Sequence, residues 1–184
     1  MTSKKCDLVL GIDVSTSCTG FAVIDCNGKL LNASFVYLDQ KNILDKAELI
    51  EKEIKKLFSE YPSITRIAIE QNMIGFRRGF SSAQVLSALA RFNGIVTYIA
   101  FCISGIYPDM ISVVNARKTL KIPIPKGSNA KECVIEWVKN QEPDFEFPVK
   151  TISSGKRKGE IVLEKGVEDA CDAYVVARFL LINI

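Results

Sequence analysis

The spacing of apolar and polar residues changes period several times along the chain, and each change marks an element. Leu8-Val-Leu-Gly-Ile-Asp13 is a short apolar run ending in an acid, followed by a small-residue turn, Ser15-Thr-Ser-Cys-Thr-Gly20. Phe21-Ala-Val-Ile-Asp25 reads as a second strand. Asn27-Gly28 supplies a hairpin turn, and residues 29–38 return as a third, antiparallel strand. The period then lengthens: Ile43, Ala47, Ile50, Ile54, Leu57 and Phe58 recur at helical spacing with Lys and Glu between them, so an amphipathic helix of about sixteen residues is expected. Pro62 ends it. Ile64-Thr-Arg-Ile-Ala-Ile-Glu70 alternates like a strand and again stops at an acid.

Beyond a glycine-flanked basic loop, Gly75-Phe-Arg-Arg-Gly79, Ser81 or Ser82 caps a helix over residues 82–104 that is apolar on more than one face. Such a helix needs cover beyond a sheet, and a second copy of the chain is the expected source. Residues 110–114 read as a short strand, and Asn115-Ala-Arg-Lys118 leads into a loop broken by Pro123 and Pro125. Ser128 or Asn129 caps a helix reaching about Lys139. Residues 147–163 form a basic hairpin, and residues 168–181 a closing helix. This order describes an α/β fold: a mixed β-sheet of about five strands flanked by helices, with an additional basic β-hairpin, in one domain over residues 1–184.

Composition narrows the class. The chain has no histidine, which excludes Ser-His-Asp and Cys-His catalysis, imidazole-bound zinc and histidine pH switching. Its six cysteines are scattered without a C-x-x-C pair, so they are expected to be reduced and structural. The most apolar stretch, residues 94–107, is shorter than the roughly twenty residues of a membrane helix, and no signal-peptide core precedes the first strand. A cytoplasmic protein without membrane contact is the expectation. Charge is segregated. Between positions 71 and 131 the only acid is Asp109, against Arg77, Arg78, Arg91, Arg117, Lys118, Lys121, Lys126 and Lys131; Lys150, Lys156, Arg157 and Lys158 make a second basic cluster. Two basic stretches in a nearly neutral chain point to an anionic partner such as nucleic acid.

Four acids stand where packing could gather them. Asp13 and Glu70 end two strands, and ligand sites in open α/β sheets form at strand ends. Asp169 and Asp172 are three apart and share a helix face. Gathered carboxylates need neutralising, and a hard divalent cation with oxygen ligands does this; two such ions can activate water and stabilise the leaving oxygen of a phosphodiester.

Leu10-Gly-Ile-Asp-Val-Ser-Thr-Ser-Cys-Thr-Gly-Phe-Ala-Val-Ile24, Ile67-Ala-Ile-Glu-Gln71 and Asp169-Ala-Cys-Asp-Ala173 resemble the three acidic motifs of RuvC-type Holliday junction resolvases, of the RNase H-like nuclease superfamily. Asn115-Ala-Arg-Lys118 and Lys126-Gly-Ser-Asn-Ala-Lys131 extend the resemblance over nearly the whole chain. It implies an RNase H-like fold and a homodimer that cuts two strands of a four-way or other branched DNA, leaving 5′-phosphates, without a nucleotide cofactor. It makes Asp13, Glu70, Asp169 and Asp172 the catalytic ligands of two Mg²⁺ ions, for which Mn²⁺ substitutes. It brings Lys131, with Lys121, Arg117 and Lys118, to DNA phosphates. Family members place an apolar residue near the crossover after the second acid. Met73, Phe76 and Phe80 are the candidates here, beside Arg77 and Arg78. The longer basic hairpin and the unusual segment 72–80 depart from the bacterial enzymes and point to a phage, viral or otherwise divergent member.

Other readings share parts of this pattern. Sugar-kinase and chaperone-type ATPases also carry Gly-Ile-Asp before a hairpin, but they need a pair of such domains and a glycine-rich adenosine motif lacking here. An RNase H-like nuclease for other branched DNA or RNA keeps the same acids. A non-catalytic junction-binding protein of this fold would not need all four.

Overall fold

The computed structural model describes residues 6–71 and 83–183. Five strands form one sheet: β1 (Leu8–Asp13), β2 (Cys18–Ile24), β3 (Leu30–Tyr37), β4 (Ile64–Glu70) and β5 (Asp109–Ile111), in spatial order β3-β2-β1-β4-β5. β1, β2 and β3 are antiparallel neighbours, whereas β4 pairs parallel to β1 and β5 parallel to β4. The sheet is therefore mixed. The Asn27-Gly28 turn joins β2 to β3 with Gly28 at φ 85°, the left-handed conformation such a turn demands.

Strand alternation divides the core into two layers. Leu8, Leu10, Ile12, Phe21, Val23, Ile67 and Ile69 face α1 (Ile43–Glu60) and α2 (Ala83–Ser104). Val9, Ala22, Ile24 and Ala68 face α5 (Val167–Ile182), with α3 (Val113–Thr119) and α4 (Ala130–Gln141) beside it. Helix α1 follows its heptad-like spacing: Asn42 caps it by accepting from the Leu44 amide, and Ala47, Ile50, Ile54 and Leu57 are buried. Helix α5 is buried at almost every position from Val167 to Ala177, so it runs under the sheet as a central helix rather than an amphipathic one.

Several expectations change. Residues 113–119 are helical, because Ser112 caps the segment and Ala116 is drawn into the core; the β-branched pair Val113-Val114 had favoured a strand. Cys6 and Cys26 are joined in a disulfide, contrary to the expectation of reduced thiols throughout. The antiparallel β1–β2 pairing brings the start of one strand beside the end of the other, leaving the two Cα atoms 5.8 Å apart. Helix α2 is long and apolar enough to cross a membrane by length and composition, because the apolar run extends well upstream of residue 94. Phe92, Val96 and Ala100 nonetheless bury one face of it, while Val85 and Tyr98 are exposed on others.

The basic hairpin is present as a separate two-stranded sheet, β6 (Val149–Thr151) and β7 (Ile161–Leu163), antiparallel and inserted between α4 and α5.

Candidate active site

Parallel pairing of β1 with β4 sets Ile12 beside Ile69, so the next residues, Asp13 and Glu70, end adjacent strands. Strand alternation puts Gly11 and Asp13 of β1, Cys18 and Gly20 of β2, and Glu70 of β4 on the side facing α5. Asp169 and Asp172 come down onto that face from the first turns of α5, and both are buried.

Two glycines make this approach possible. A Cβ built on Gly11 would overlap the Ala173 carbonyl, and one on Gly20 would overlap the backbone of Asp169 and Ala170. The helix backbone thus lies against the strands, and the acids on it reach the strand-end acids. Gly166, just before α5, is similarly pressed by the Phe35 ring, and its amide donates to the Tyr37 hydroxyl at 3.2 Å.

Polar contacts hold the surrounding backbone. The Asn93 side chain, buried on α2, donates to the Glu70 carbonyl oxygen at 2.9 Å, and the Gln71 amide donates to the Ile111 carbonyl. These bonds fix the end of β4. The loop after Asp13 is held by Thr19 Oγ1 donating to the Ser15 carbonyl and by Lys46 Nζ of α1 donating to the Thr16 carbonyl.

Burial is the largest influence on the acids of the site, and their mutual negative charge adds to it. Burial pushes the Asp13 carboxyl well above the usual carboxylate range, and the charges of Glu70, Asp172 and Asp169 push it further. The side-chain contact between Asp13 and Glu70 raises Asp13 further and acts against the rise at Glu70. Glu70 is also raised, chiefly by burial, with Arg117 and Lys131 opposing the shift. Burial raises Asp169 too, against the opposing hydrogen bond from the Cys18 thiol and the charge of Lys131.

Two cations answer this charge. Arg117 Nη2 donates to Asp172 Oδ1 at 2.7 Å. Lys131 Nζ lies 2.8 Å from Glu168 Oε1 and 3.7 Å from Asp169 Oδ1. The expected phosphate contacts Arg117 and Lys131 therefore border the acids directly, whereas Lys118 and Lys121 are exposed away from any ion pair among the described residues. Met73, Phe76, Arg77, Arg78 and Phe80 lie outside the described residues. Beside Asp169 opens a cavity of about 190 Å³ lined by Ser15, Ser17, Cys18, Tyr37, Lys131, Lys165 and Glu168.

Sequence reasoning missed Cys18, Glu168 and Asn93 as neighbours of the acids. Cys18 was legible only as part of a small-residue turn, and Asn93 only as a polar interruption in an apolar helix.

The donor set is all oxygen, hard and over-charged for its burial, which fits a hard divalent cation. Among the described residues no three His, Cys, Asp or Glu side chains are grouped at metal-holding spacing; Asp172 is turned to Arg117, and Asp169 to Lys131 and Cys18.

No family sequence model and no curated protein sequence matches the chain. Solved structures do. The T. thermophilus RuvC in complex with a Holliday junction substrate aligns with a TM-score of 0.65 at 16% identity, covering 94% of this chain and 93% of the other. A second Thermus thermophilus RuvC structure gives 0.58 at 17% identity over the same shares. The yeast mitochondrial Holliday junction resolvase Ydc2 gives 0.54 at 14% identity, covering 94% of this chain and 77% of that one. The chain therefore has the RuvC-type, RNase H-like fold, as the resemblance implied.

Proposed function

We propose that the chain is a divalent-metal-dependent endonuclease that resolves four-way DNA junctions as a homodimer. The observation that carries this reading is the convergence of Asp13, Glu70, Asp169 and Asp172 on one face of the sheet, with a charge excess the protein only partly answers. The likeness in fold to two RuvC structures and Ydc2 over 94% of the chain supports the junction as substrate.

In this reading the four carboxylates would hold two Mg²⁺ ions, which would supply charge neutralisation and an activated water for direct attack on the phosphodiester. The chain's own residues set up that chemistry. Burial and the neighbouring acids disfavour the charged form of Asp13, and a bound cation would favour it. Arg117 and Lys131 hold the outer carboxylates and are placed to draw a phosphate toward them. Direct water attack would leave 5′-phosphate and 3′-hydroxyl ends. The outer face of α2, where Arg91, Gly94, Tyr98 and Cys102 are exposed and nothing crowds Gly94, is the surface for the second copy. Two such sites would match the twofold symmetry of a junction.

Cleavage of a synthetic four-way junction, a flap and a linear duplex, each with Mg²⁺ and with EDTA, tests the reading. Paired, symmetric, Mg²⁺-dependent cuts confined to the junction are expected. Equal cutting of all three substrates, or cutting in EDTA, would overturn it.

A further inference from the structure

The β6–β7 hairpin is the part of the molecule that neither the core nor the acidic site accounts for. Its strands pair with each other and not with the main sheet, and Val149 and Ile161 are 55% and 71% exposed. An isolated two-stranded ribbon contributes little to stability. Its root, by contrast, is well fixed. Phe147 is buried, Leu163 packs on the core, and the Glu164 amide donates to the Pro148 carbonyl at 3.0 Å. Three residues further on, α5 begins with the acids of the site.

The tip is ordered rather than ragged. The Gly159 amide donates to the Ile152 carbonyl and the Ile152 amide to the Glu160 carbonyl, both at 2.9 Å, with Gly155 and Gly159 in left-handed conformations. Between those glycines stand Lys156, Arg157 and Lys158, all exposed. Arg157 is paired with Glu160 at 2.6 Å, and Lys150, Lys156 and Lys158 make no ion pair among the described residues. Residues 149–165 hold five cations and two acids, a net charge of +3, which equals the net charge of the whole chain. The remaining residues balance to zero.

We infer that this hairpin is a second DNA-contacting element, a basic arm that grips the phosphate backbone of a duplex arm of the substrate, separate from the lysine and arginine at the acids. A rigidly rooted ribbon presenting unpaired cations at a fixed turn suits a polyanion with regularly spaced charges. Val149 and Ile161 are exposed apolar residues on one face of the ribbon, Val149 at its root and Ile161 nearer the tip. Lys165, just past the root, lines the cavity beside Asp169, so basic residues continue from the arm toward the acids. This inference rests on the nuclease reading above for its substrate, but concerns binding alone.

Its test compares two triple variants for binding to a labelled four-way junction by fluorescence anisotropy across a KCl series, in EDTA. K156Q/R157Q/K158Q removes the tip charges. K52Q/K55Q/K56Q removes equal charge from α1, on the opposite face of the sheet. Both alter exposed side chains, and an unchanged circular dichroism melt confirms folding. The tip variant should bind at least about tenfold more weakly near physiological salt, with a slope of log affinity against log salt shallower by roughly 2 to 3, while the α1 variant stays near wild type. Equal affinity and slope for the tip variant and wild type would overturn the arm while leaving the nuclease reading standing. Equal losses in both triple variants would also overturn it, showing a general charge effect. Failure of the wild-type chain to bind the junction at all would overturn the arm together with the nuclease reading.

Discussion

Helix α5 carries a polar cluster at each end, and the two are built on opposite principles. Toward its C-terminal half, the Tyr174 hydroxyl donates to Glu142 at 2.7 Å, and Arg178 Nη1 donates to the Gly28 carbonyl at 2.7 Å and to the Tyr174 oxygen at 3.2 Å. The Arg178 guanidinium also lies 5.7 Å from the centre of the Tyr174 ring. One acid meets one cation through one phenol, and the charges close on themselves. At the N-terminal end, four carboxylates and Glu168 face, among the described residues, the cations Arg117 and Lys131. The first cluster ties the β2–β3 turn and the end of α4 to α5. The second is left with more acids than cations, which is the feature the proposed metal site rests on.

The contrast can be broken most sharply at Asp13. Asp13→Asn should lower junction cleavage by on the order of 10³-fold while leaving junction binding intact, because the lost oxygen acts on the chemistry and binding rests on cations. The same variant should melt higher than wild type in EDTA, by a few degrees, since an amide relieves the buried charge. A normal single-turnover rate in Asp13→Asn would remove it from the site.

The next largest effect belongs to the glycine that lets the helix down onto the sheet. Gly20→Ala should cost about 3 kcal/mol or more, because its Cβ meets rigid backbone of α5 rather than a flexible side chain. Thermal denaturation would read the loss, and cleavage should fall with it as Asp169 is displaced.

Tyr174→Phe should cost about 1 to 3 kcal/mol by leaving Glu142 buried without its donor. Its cleavage rate below the melting range should match wild type, since the closed cluster takes no part in the chemistry. A large loss of rate in this variant would mean that the two ends of α5 are coupled.

The smallest effect is the pH dependence of stability in EDTA. Asp13, Glu70 and Asp169 all hold protons more tightly in the folded chain than in the unfolded one. Between the ordinary carboxylate range and their raised values, the folded state binds more protons, so their contribution to stability falls as pH rises through that window. Melting temperature should therefore decline less steeply with rising pH in Asp13→Asn than in wild type. Parallel curves for the two proteins would show that Asp13 carries no such shift.

Much of this was legible in the sequence. The alternation of β1 and β4 and their terminal acids followed from apolar spacing, and the Asp169/Asp172 pair followed from helical periodicity. Those features are local, set by backbone geometry within a few residues. Helix α3 was not legible, because Val113 and Val114 favour a strand and the Ser112 cap prevails only together with the burial of Ala116. The disulfide was missed because Cys6 and Cys26 are neighbours through strand pairing, twenty residues apart in the chain.

By itself, then, the sequence determined which residues alternate, where strands stop, which acids exist and how the basic residues are grouped. The tertiary structure decided which of those acids face one another, that Gly11 and Gly20 are the places where helix and sheet touch, and that Arg117 and Lys131 answer the carboxylates. The physical reason is range. Periodicity and turn chemistry act along the chain, whereas close approach, burial of charge and the influence of Glu70 on Asp13 exist only between segments brought together from far apart.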